Sequence, residues 1–146
     1  MSNFANTLND QQKIQLLTNA QTIAVVGLSP KTNRPSNRVA KAMQEFSYKI
    51  VPVRPAIDSV LGEQAYDSIP AIPFPVDIVN VFRASRYVAG IVQQCIECGI
   101  RAIWLQEGVR DDQAAQLAVD AGISIVMDLC IYKEFIRLQI TPANAE

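Results

Sequence analysis

Histidine is absent from this 146-residue sequence. Without it the chain cannot use Ser-His-Asp or Cys-His hydrolase chemistry, a histidine-ligated zinc ion or a phosphohistidine intermediate. A large net charge is absent too, because 13 basic side chains are balanced by 14 acidic ones to give a net charge of −1. Bulk electrostatics therefore provide no attraction to nucleic acid or to a membrane surface, and we expect neither as a partner.

Long apolar runs and a targeting segment are also missing. No stretch approaches the roughly 20 apolar residues of a membrane span, and the polar, uncharged start Met1–Asn9 does not resemble a signal peptide. With 49% hydrophobic and 18% charged residues, the composition is that of a folded chain. We expect one cytoplasmic domain over residues 1–146, with a core of about residues 16–130, a short N-terminal helix and a C-terminal tail.

Cysteine is scarce, with three residues, although Cys95 and Cys98 form a C-x-x-C motif. Apolar residues at helical spacing place this motif in the last turn of a helix that Gly99 ends. The helix dipole disfavours a thiolate there, whereas redox motifs of this kind lie at a helix N-terminus. Together with Cys130 the pair would still need a fourth ligand to hold zinc. We therefore predict reduced structural thiols and no metal site.

Short apolar, β-branched runs alternate with amphipathic segments along the chain. Five of these runs are predicted as strands buried on both faces: Thr22–Gly27, Lys49–Val53, Asp77–Phe82, Ala102–Leu105 and Ser124–Met127. Four helices are predicted: from Asn9 or Asp10 to Asn19, from an N-cap at Ser36 to about Phe46, Arg86–Cys98 and Asp111–Ala121. The proline-rich stretch Arg54–Val76 is predicted to form turns, with at most a short helix near Asp67.

This alternation is typical of βαβ units and predicts an α/β, Rossmann-like open parallel sheet with helices on both faces. For five strands we expect the order 3-2-1-4-5, which puts the topological switch between the first and fourth strands. Ligands of such sheets bind beyond the carboxyl ends of the strands at the switch. The loops Leu28–Arg38 and Gln106–Arg110 are therefore predicted to form the site.

Basic residues follow three of the predicted strands, at the edge where ligands bind. They are Lys31, Arg34 and Arg38 after the first strand, Arg54 after the second, and Arg83 and Arg86 after the third. From Leu28 to Gln44 there is no acidic residue. With the free N–H groups at the start of the following helix, these cations predict an anion site.

The class of anion is narrowed by motifs that are missing. A dinucleotide enzyme carries G-x-G-x-x-G after the first strand and a carboxylate at the end of the second, whereas this chain has only Gly27 and, at the second position, Arg54. An arginine there suits a ribose that bears an extra phosphate, as in NADP or in coenzyme A (CoA). A Walker A loop is missing as well, which argues against ATP or GTP hydrolysis.

Seven segments, in order, resemble the motifs of the small stand-alone bacterial CoA-binding proteins. They are I-A-V-V-G-L-S-P, R-P-S-N-R-V-A, V-P-V-R-P, L-G-E-Q-A-Y, V-D-I-V-N-V-F-R, I-W-L-Q-E-G and V-M-D-L-C. The same domain is similar to the N-terminal CoA-binding part of the succinyl-CoA synthetase α subunit and of related acyl-CoA synthetases. The resemblance covers about Leu16–Cys130 and implies CoA or an acyl-CoA as the ligand.

The resemblance also implies which residues surround each part of CoA. Around the pyrophosphate it places Gly27, Ser29, Pro30, Arg34, Ser36 and Asn37. Val53, Arg54 and Pro55 would contact the adenosine and its 3′-phosphate, with Phe82 and Arg83 beside the adenine. Leu105, Gln106 and Glu107 would line the pantetheine arm. For Phe82 simple core packing, and for Glu107 a favourable helix-start charge, are equally good interpretations.

The sequence departs from the family pattern at two points. After V-M-D the family usually continues with a basic residue, Cys and Pro, whereas Leu129, Cys130 and Ile131 stand here, so ligand contact by this loop is left open. The related synthetases also use a phosphohistidine in a downstream domain, and this chain has no histidine. The resemblance therefore does not carry synthetase activity over.

Three functions remain as alternatives. The first is a non-catalytic module that binds CoA or an acyl-CoA, and no catalytic residue is assigned to it. The second is an interaction or regulatory protein with a vestigial nucleotide cleft. The third is an NADP-dependent oxidoreductase, whose proton donor would have to come from Tyr87, Glu107, Tyr132 or Lys133, none of which forms a recognisable pair. A protein partner is not indicated, and a homo-oligomer is neither required nor excluded.

Overall fold

A computed structural model describes residues 7–143. Its strands are β1 (Thr22–Val26), β2 (Lys49–Val53), β3 (Ser59–Val60), β4 (Glu63–Gln64), β5 (Ile78–Val81), β6 (Ala102–Leu105) and β7 (Ser124–Val126). Its α-helices are α1 (Asp10–Asn19), α2 (Pro35–Glu45), α3 (Val88–Glu97), α4 (Asp112–Asp120) and α5 (Ile131–Arg137). Single 3₁₀ turns occur at Ile69–Ala71 and Ser85–Tyr87. Across residues 7–143 no helix is both long and apolar enough to cross a membrane.

Five of the strands form one parallel sheet that is flanked by helices, which confirms the predicted α/β class. Alternate residues of each strand belong to the two apolar cores, because successive side chains of a strand point to opposite faces. Ala24 and Val79, for example, pack in the core under α3 and α4, whereas Ile23 and Ile78 pack in the core under α1, α2 and α5. Burial on both faces explains why the strands are continuous apolar runs.

The strand order differs from the predicted one. The sheet runs β2-β1-β5-β6-β7, so the five predicted strands are ordered 2-1-3-4-5 and the prediction of 3-2-1-4-5 was wrong. β2 is therefore an edge strand. Pro52 has no N–H group to donate to a strand ladder, and an edge strand tolerates this loss because one of its sides faces no other strand of the sheet. Beyond β2 the outer edge is occupied by Tyr66, whose N–H donates to the Pro52 carbonyl at 3.0 Å and whose carbonyl accepts from the Arg54 N–H at 2.9 Å.

The correct order moves the topological switch. It now lies between β1 and β5, which pair in parallel from Ile23–Ile78 to Val26–Val81. The Asp77 carboxylate fixes this pairing at the start of the strands by accepting hydrogen bonds from the Gln21 and Thr22 N–H groups at 2.9 and 3.0 Å. The loop after β5 is therefore the direct neighbour of the loop after β1, a place that the predicted order gave to the loop after β6.

The predicted helix starts are partly confirmed. Asn9 caps α1 in a capping box with Gln12, as the sequence indicated. Ser36 is not the N-cap of α2, which is Arg34. Pro35 occupies the first helical position, so the helix starts two residues earlier than a Ser36 cap allows. Asp111 caps α4 through a hydrogen bond from the Ala114 N–H at 3.0 Å.

Two elements were not predicted. The antiparallel β3–β4 pair lies in the proline-rich stretch, where two-residue strands leave too short a pattern to detect. Helix α5 occupies part of the expected C-terminal tail. Its buried Phe135 stacks on Phe46 of the segment after α2 with a centroid distance of 4.1 Å, so its stability comes from tertiary packing.

The three cysteines are free thiols, and Cys95 is completely buried, as predicted. Burial raises the pKa of the Cys95 thiol to about 12, with a smaller contribution from Cys98. Cys98 is exposed at the C-cap of α3, so the C-x-x-C motif lies at the end of the helix that disfavours thiolates. Within residues 7–143 no group of three or more acidic or cysteine side chains is placed to hold a metal ion.

Helix α5 is fastened to α1 by a buried ion pair. Lys13 Nζ lies 3.0 Å from Glu134 Oε1, and both side chains are less than a tenth exposed. Arg137 completes the cluster, with its Nε 2.8 Å from Glu134 Oε2 and its Nη2 2.7 Å from Asp10 Oδ1. Hydrogen bonds, first from Arg137 and then from Lys13, hold the pKa of Glu134 below its ordinary value of 4.5 despite its burial.

The substitution Glu134→Gln should reduce the free energy of unfolding by about 3 kcal/mol, because it leaves Lys13 buried without its carboxylate. Because the Glu134 pKa is lower in the folded protein than in the unfolded chain, this carboxylate stabilises the fold at any pH above its unfolded-state pKa. The stabilisation is lost as the pH falls through its folded-state pKa. Urea unfolding at pH 7 and at a pH below the lowered Glu134 pKa should therefore show the loss at the higher pH only. The exposed Glu45→Gln is the control, and an equal loss in both variants would contradict the expectation.

Candidate functional site

The carboxyl edge of the sheet is where the loops after β1 and β5 come into contact. Gly27 ends β1 with a φ of +84°, a conformation that a side chain disfavours. A Cβ atom at this position would lie 2.6 Å from the Phe82 carbonyl oxygen and 2.9 Å from Arg83 Cδ. Only glycine therefore lets the two loops approach this closely at the topological switch.

The loop after β1 is held against the start of α2 by buried hydrogen bonds. The Ser29 N–H donates to Ser36 Oγ at 3.0 Å, and Asn37 Nδ2 donates to the Ser29 carbonyl at 2.9 Å. A third bond runs from the Lys31 N–H to Ser29 Oγ at 3.1 Å. The side chains of Ser36 and Asn37 thus shape the loop, while the first-turn N–H groups of α2 have no partner within the helix.

A cavity of about 360 Å³ opens in front of this helix start, and we call it the cationic cavity. Its lining contains three basic side chains and no acidic one. The lining residues are Gly27, Ser29, Lys31, Arg34, Pro35, Ser36, Arg54 and Phe82. The helix start, the three cations and the exposed N–H groups all favour a bound anion.

The positive charge at this edge is not compensated by the protein itself. None of the six basic residues predicted to form the anion site lies in an ion pair with a carboxylate of the described residues. Lys31, Arg34 and Arg54 line the cationic cavity, and Arg83 lines the cavities next to it. Arg38 and Arg86 do not line them, because Arg38 donates to the Asn33 carbonyl at 2.8 Å and Arg86 lies over the Tyr87 ring.

A second cavity of about 430 Å³ continues from the first, with Pro35 and Phe82 common to both linings. We call it the Gln106 cavity. Gln106 is 4% exposed, and its Oε1 accepts hydrogen bonds from Asn80 Nδ2 at 3.0 Å and from the Ile131 N–H at 2.9 Å. Within residues 7–143 its Nε2 donates no hydrogen bond, so this donor remains for a ligand.

A third cavity of about 240 Å³ lies on the other side of Arg83, between the end of β2 and α3. Its lining includes Val53, Pro55, Arg83 and Tyr87. The Arg83 guanidinium lies over the Tyr87 ring at 4.0 Å from its centroid. Hydrogen bonds from Arg86 and then Arg83 lower the pKa of the exposed Tyr87 phenol. Asp67 also lines this cavity, so its charge is mixed, and the Arg83–Tyr87 stack offers a flat surface suited to an aromatic ring.

The structure brings most of the predicted site residues together. Eleven of the 14 line one of the connected cavities: Gly27, Ser29, Arg34, Ser36, Val53, Arg54, Pro55, Phe82, Arg83, Gln106 and Glu107. The other three do not, since Pro30 is exposed outside the lining, Asn37 is buried in the loop contact described above, and the Leu105 side chain is completely buried in the core. Their assignment to ligand contact was thus not matched by the cavity geometry.

The structure adds residues to those that the sequence assigned to a part of CoA. Lys31, predicted only as one of the basic residues of the anion site, lines the cationic cavity, and Cys130, whose ligand contact was left open, lines the Gln106 cavity. Asn80 orients the Gln106 amide from the middle of β5, where it is 1% exposed and also donates to the Trp104 carbonyl at 3.1 Å. A single polar residue inside an apolar strand was the available signal for Asn80, because a buried amide needs a partner.

Another cavity, of about 510 Å³ and larger than the cavities above, lies at the opposite, amino edge of the sheet. Its charged lining residues are Arg101 and Asp77, and the Asp77 carboxylate is already bonded to the start of β1. In open parallel sheets ligands bind at the carboxyl edge. The size of the amino-edge cavity therefore does not make it the better candidate site.

Comparison with known proteins agrees with this geometry. The family model described as a CoA binding domain matches residues 21–135. The chain belongs to the CoA-binding domain family. Helices α2–α4, most of α5 and all strands of the sheet lie inside the matched range, and the cavities at the carboxyl edge are built from those elements.

Relatives of similar length share the whole domain. The Bacillus subtilis protein YneT is 42% identical over 117 residues, which is 80% of this chain and 87% of YneT. A solved structure of a hypothetical protein from Pyrococcus horikoshii is 33% identical, with a TM-score of 0.88 over 95% of this chain and 99% of the other. A Thermus thermophilus structure is 32% identical, with a TM-score of 0.86 over 90% and 99% of the two chains.

The CoA-binding domain also occurs inside larger enzymes. The α subunit of an ADP-forming acetate–CoA ligase from Pyrococcus furiosus is 26% identical over 124 residues, which is 77% of this chain and 27% of that subunit. This chain therefore spans only about a quarter of the ligase subunit. The predicted likeness to acyl-CoA synthetases is confirmed at the level of the domain.

The substitution Gly27→Ala should lower the free energy of unfolding by more than the roughly 1–2 kcal/mol expected from a left-handed backbone conformation alone, because its Cβ would also overlap the Phe82 carbonyl. Gly122→Ala is a matched control, with a φ of +82° and nothing within 4 Å of the added Cβ. Urea unfolding measures both variants. Equal losses would show that the loops after β1 and β5 do not require the close approach.

Proposed function

We propose that the protein binds CoA or an acyl-CoA at the carboxyl edge of its sheet and does not itself catalyse a reaction. The observation that carries the proposal is the cationic cavity, in which three basic side chains surround the start of α2. Within residues 7–143 none of the three forms an ion pair with a carboxylate. An anion with several phosphates matches this charge, and membership in the CoA-binding domain family supports CoA as that anion.

The pyrophosphate is assigned to the cationic cavity. Backbone N–H groups at the start of α2 and the side chains of Lys31 and Arg34 would hold its oxygens. Gly27 and Ser29 shape the loop so that the phosphates can approach the backbone. Ser36 and Asn37 support the loop from inside, so their contribution is to the shape of the site.

The 3′-phosphate is assigned to Arg54. This residue follows β2 and lines the cationic cavity, and it also lines a neighbouring cavity of about 490 Å³ together with Gly27, Pro55, Phe82 and Arg83. The adenosine would lie against Val53 and Pro55, with the adenine beside Phe82 or on the Arg83–Tyr87 surface. An arginine at this position distinguishes a phosphorylated ribose from an unphosphorylated one.

The pantetheine arm is assigned to the Gln106 cavity, which continues from the cationic cavity at Pro35 and Phe82. Pantetheine carries amide groups, and the unpaired Gln106 Nε2 is a donor for one of their carbonyl oxygens. Glu107 lies at the rim, where its carboxylate is 3.0 Å from Lys133 Nζ. This ion pair keeps the carboxylate at the surface.

A role without catalysis follows from the side chains that line the two cavities. Their ionisable groups are Lys31, Arg34, Arg54, Arg83, Glu107 and Cys130. The cations bind anions but do not form an acid–base pair with each other, and the sequence has no histidine. The ligases that contain this domain are several times longer than this chain, so the domain corresponds to only one part of each of them.

Calorimetric titration with CoA, dephospho-CoA and NADPH tests the proposal directly. We expect CoA to bind most tightly, since it alone has both the pantetheine arm and the 3′-phosphate. Binding of NADPH without CoA would favour an oxidoreductase and overturn the proposal. No binding of any of the three would favour a regulatory protein whose cleft is vestigial.

The substitution Arg54→Glu should raise the dissociation constant of CoA by about tenfold to a hundredfold, which corresponds to losing one charge-assisted phosphate contact. Dephospho-CoA binding should change much less because it lacks the 3′-phosphate. Arg101→Glu, which makes the same charge change at the opposite edge of the sheet, is the matched control for calorimetry. Equal losses for both ligands with Arg54→Glu would show that Arg54 does not contact the 3′-phosphate.

A further inference from the structure

Cys130 is a buried thiol on the wall of the Gln106 cavity. It is 5% exposed and free, and it shares this cavity with Gln106 and Glu107. Of the three cysteines it alone lines one of the five cavities described above. The proposed CoA site thus has a thiol of the protein in the cavity assigned to the pantetheine arm.

The position of Cys130 is fixed from both sides. The Leu129 carbonyl before it accepts a hydrogen bond from Trp104 Nε1 at 2.9 Å. The Ile131 N–H after it donates to Gln106 Oε1 at 2.9 Å. Because Trp104 is completely buried and Gln106 nearly so, these bonds hold the Cys130 backbone rigidly next to the Gln106 amide.

The Gln106 amide indicates where a ligand would bind beside this thiol. Gln106 lines the cavity, and within residues 7–143 its Nε2 donates no hydrogen bond, so this donor is open to the cavity. A carbonyl oxygen of the pantetheine arm would satisfy it. An arm that enters from the cationic cavity, passes Phe82 and reaches Gln106 brings its terminal thiol toward Cys130.

We infer that Cys130 forms a mixed disulfide with the thiol of bound CoA when the cell is exposed to peroxide. This inference rests on the proposed function, because it requires CoA in the site. The Cys130 thiol reduces hydrogen peroxide, a small oxidant, to water and becomes a sulfenic acid. The CoA thiol then attacks the sulfenic sulfur, so that a sulfur–sulfur bond forms, the sulfur–oxygen bond breaks and a second water leaves. A thiol reductant reverses the reaction.

The bound thiol would protect Cys130 as well as modify it. A sulfenic acid that has no neighbouring thiol is oxidised further to irreversible sulfinic and sulfonic acids. A CoA thiol held in the same cavity reacts as if it were present at a high local concentration. Occupied protein should therefore stop at the reversible disulfide, whereas unoccupied protein should proceed to the irreversible acids.

The experiment treats the full chain with a small excess of hydrogen peroxide in the presence of CoA, and then maps the cysteines by trypsin digestion and mass spectrometry without reduction. Cleavage after lysine and arginine gives a peptide of residues 111–133 in which Cys130 is the single cysteine, while Cys95 and Cys98 share the peptide of residues 87–101. We expect one CoA adduct on the first peptide, removed by dithiothreitol.

Matched controls separate binding from simple reactivity. Glutathione in place of CoA should give at least about tenfold less adduct on the peptide of residues 111–133, because no nucleotide holds it in the site. Cys98→Ser removes the exposed thiol and should leave the adduct on Cys130 unchanged. Cys130→Ser should abolish that adduct, with its fold checked by thermal unfolding.

The outcomes distinguish this inference from the proposed function. An adduct that saturates with CoA concentration on Cys130 supports both. If calorimetry shows CoA binding but the adduct is missing or lies on the peptide with Cys95 and Cys98, the inference is overturned and CoA binding stands. If CoA does not bind at all, both fail. Equal yields with glutathione and CoA would also overturn the inference.

Discussion

The contact between Gly27 and the Phe82 carbonyl is the constraint on which the site depends. A Cβ atom at residue 27 would lie only 2.6 Å from that oxygen, so β1 and β5 could not end side by side with their loops in contact. Their contact closes the floor of the cationic cavity and makes Phe82 a wall common to it and the Gln106 cavity. The absence of a single side chain therefore aligns the two cavities at the topological switch.

Charge at this edge is arranged for a ligand and not for the stability of the free protein. The ion pairs of the described chain that involve buried groups join α1 to α5, through Lys13 and Glu134. The six basic residues predicted to form the anion site have no carboxylate partner within residues 7–143, and like charges held close together destabilise a compact state. A polyanionic ligand relieves this repulsion and stabilises the folded protein by mass action. The net charge of −1 does not reveal that unpaired cations are gathered at one edge of the sheet.

Buried amides connect the sheet to the site in a second way. Asn80 of β5 is bonded to the Trp104 carbonyl and to Gln106, which in turn accepts from the Ile131 N–H at the start of α5. Helix α5 is then fastened to α1 through Glu134 and Lys13. A chain of polar contacts from β5 through Gln106 and α5 to α1 therefore fixes the wall of the Gln106 cavity. Each contact replaces solvation that these groups lose on burial.

Local signals were sufficient for most elements but not for their arrangement. The five apolar runs predicted the sheet strands, and the Asn9 capping box and Gly99 stop predicted helix ends, because such signals act over a few residues. The strand order was wrong, although Pro52 already indicated that β2 lies at an edge. Helix α5 and the β3–β4 pair were missed because tertiary packing, and not a local pattern, stabilises them.

By itself the sequence determined the fold class, the cations at the carboxyl edge and the resemblance to CoA-binding proteins. Only the tertiary structure decided that the loops after β1 and β5 are neighbours, that Ser36 and Asn37 bind the loop from inside, and that Gln106 and Cys130 share one cavity. The physical reason is distance along the chain. Composition and periodicity report what each segment buries, whereas contacts between Gly27 and Phe82 or between Gln106 and Ile131 join residues far apart in sequence and depend on the order of the strands.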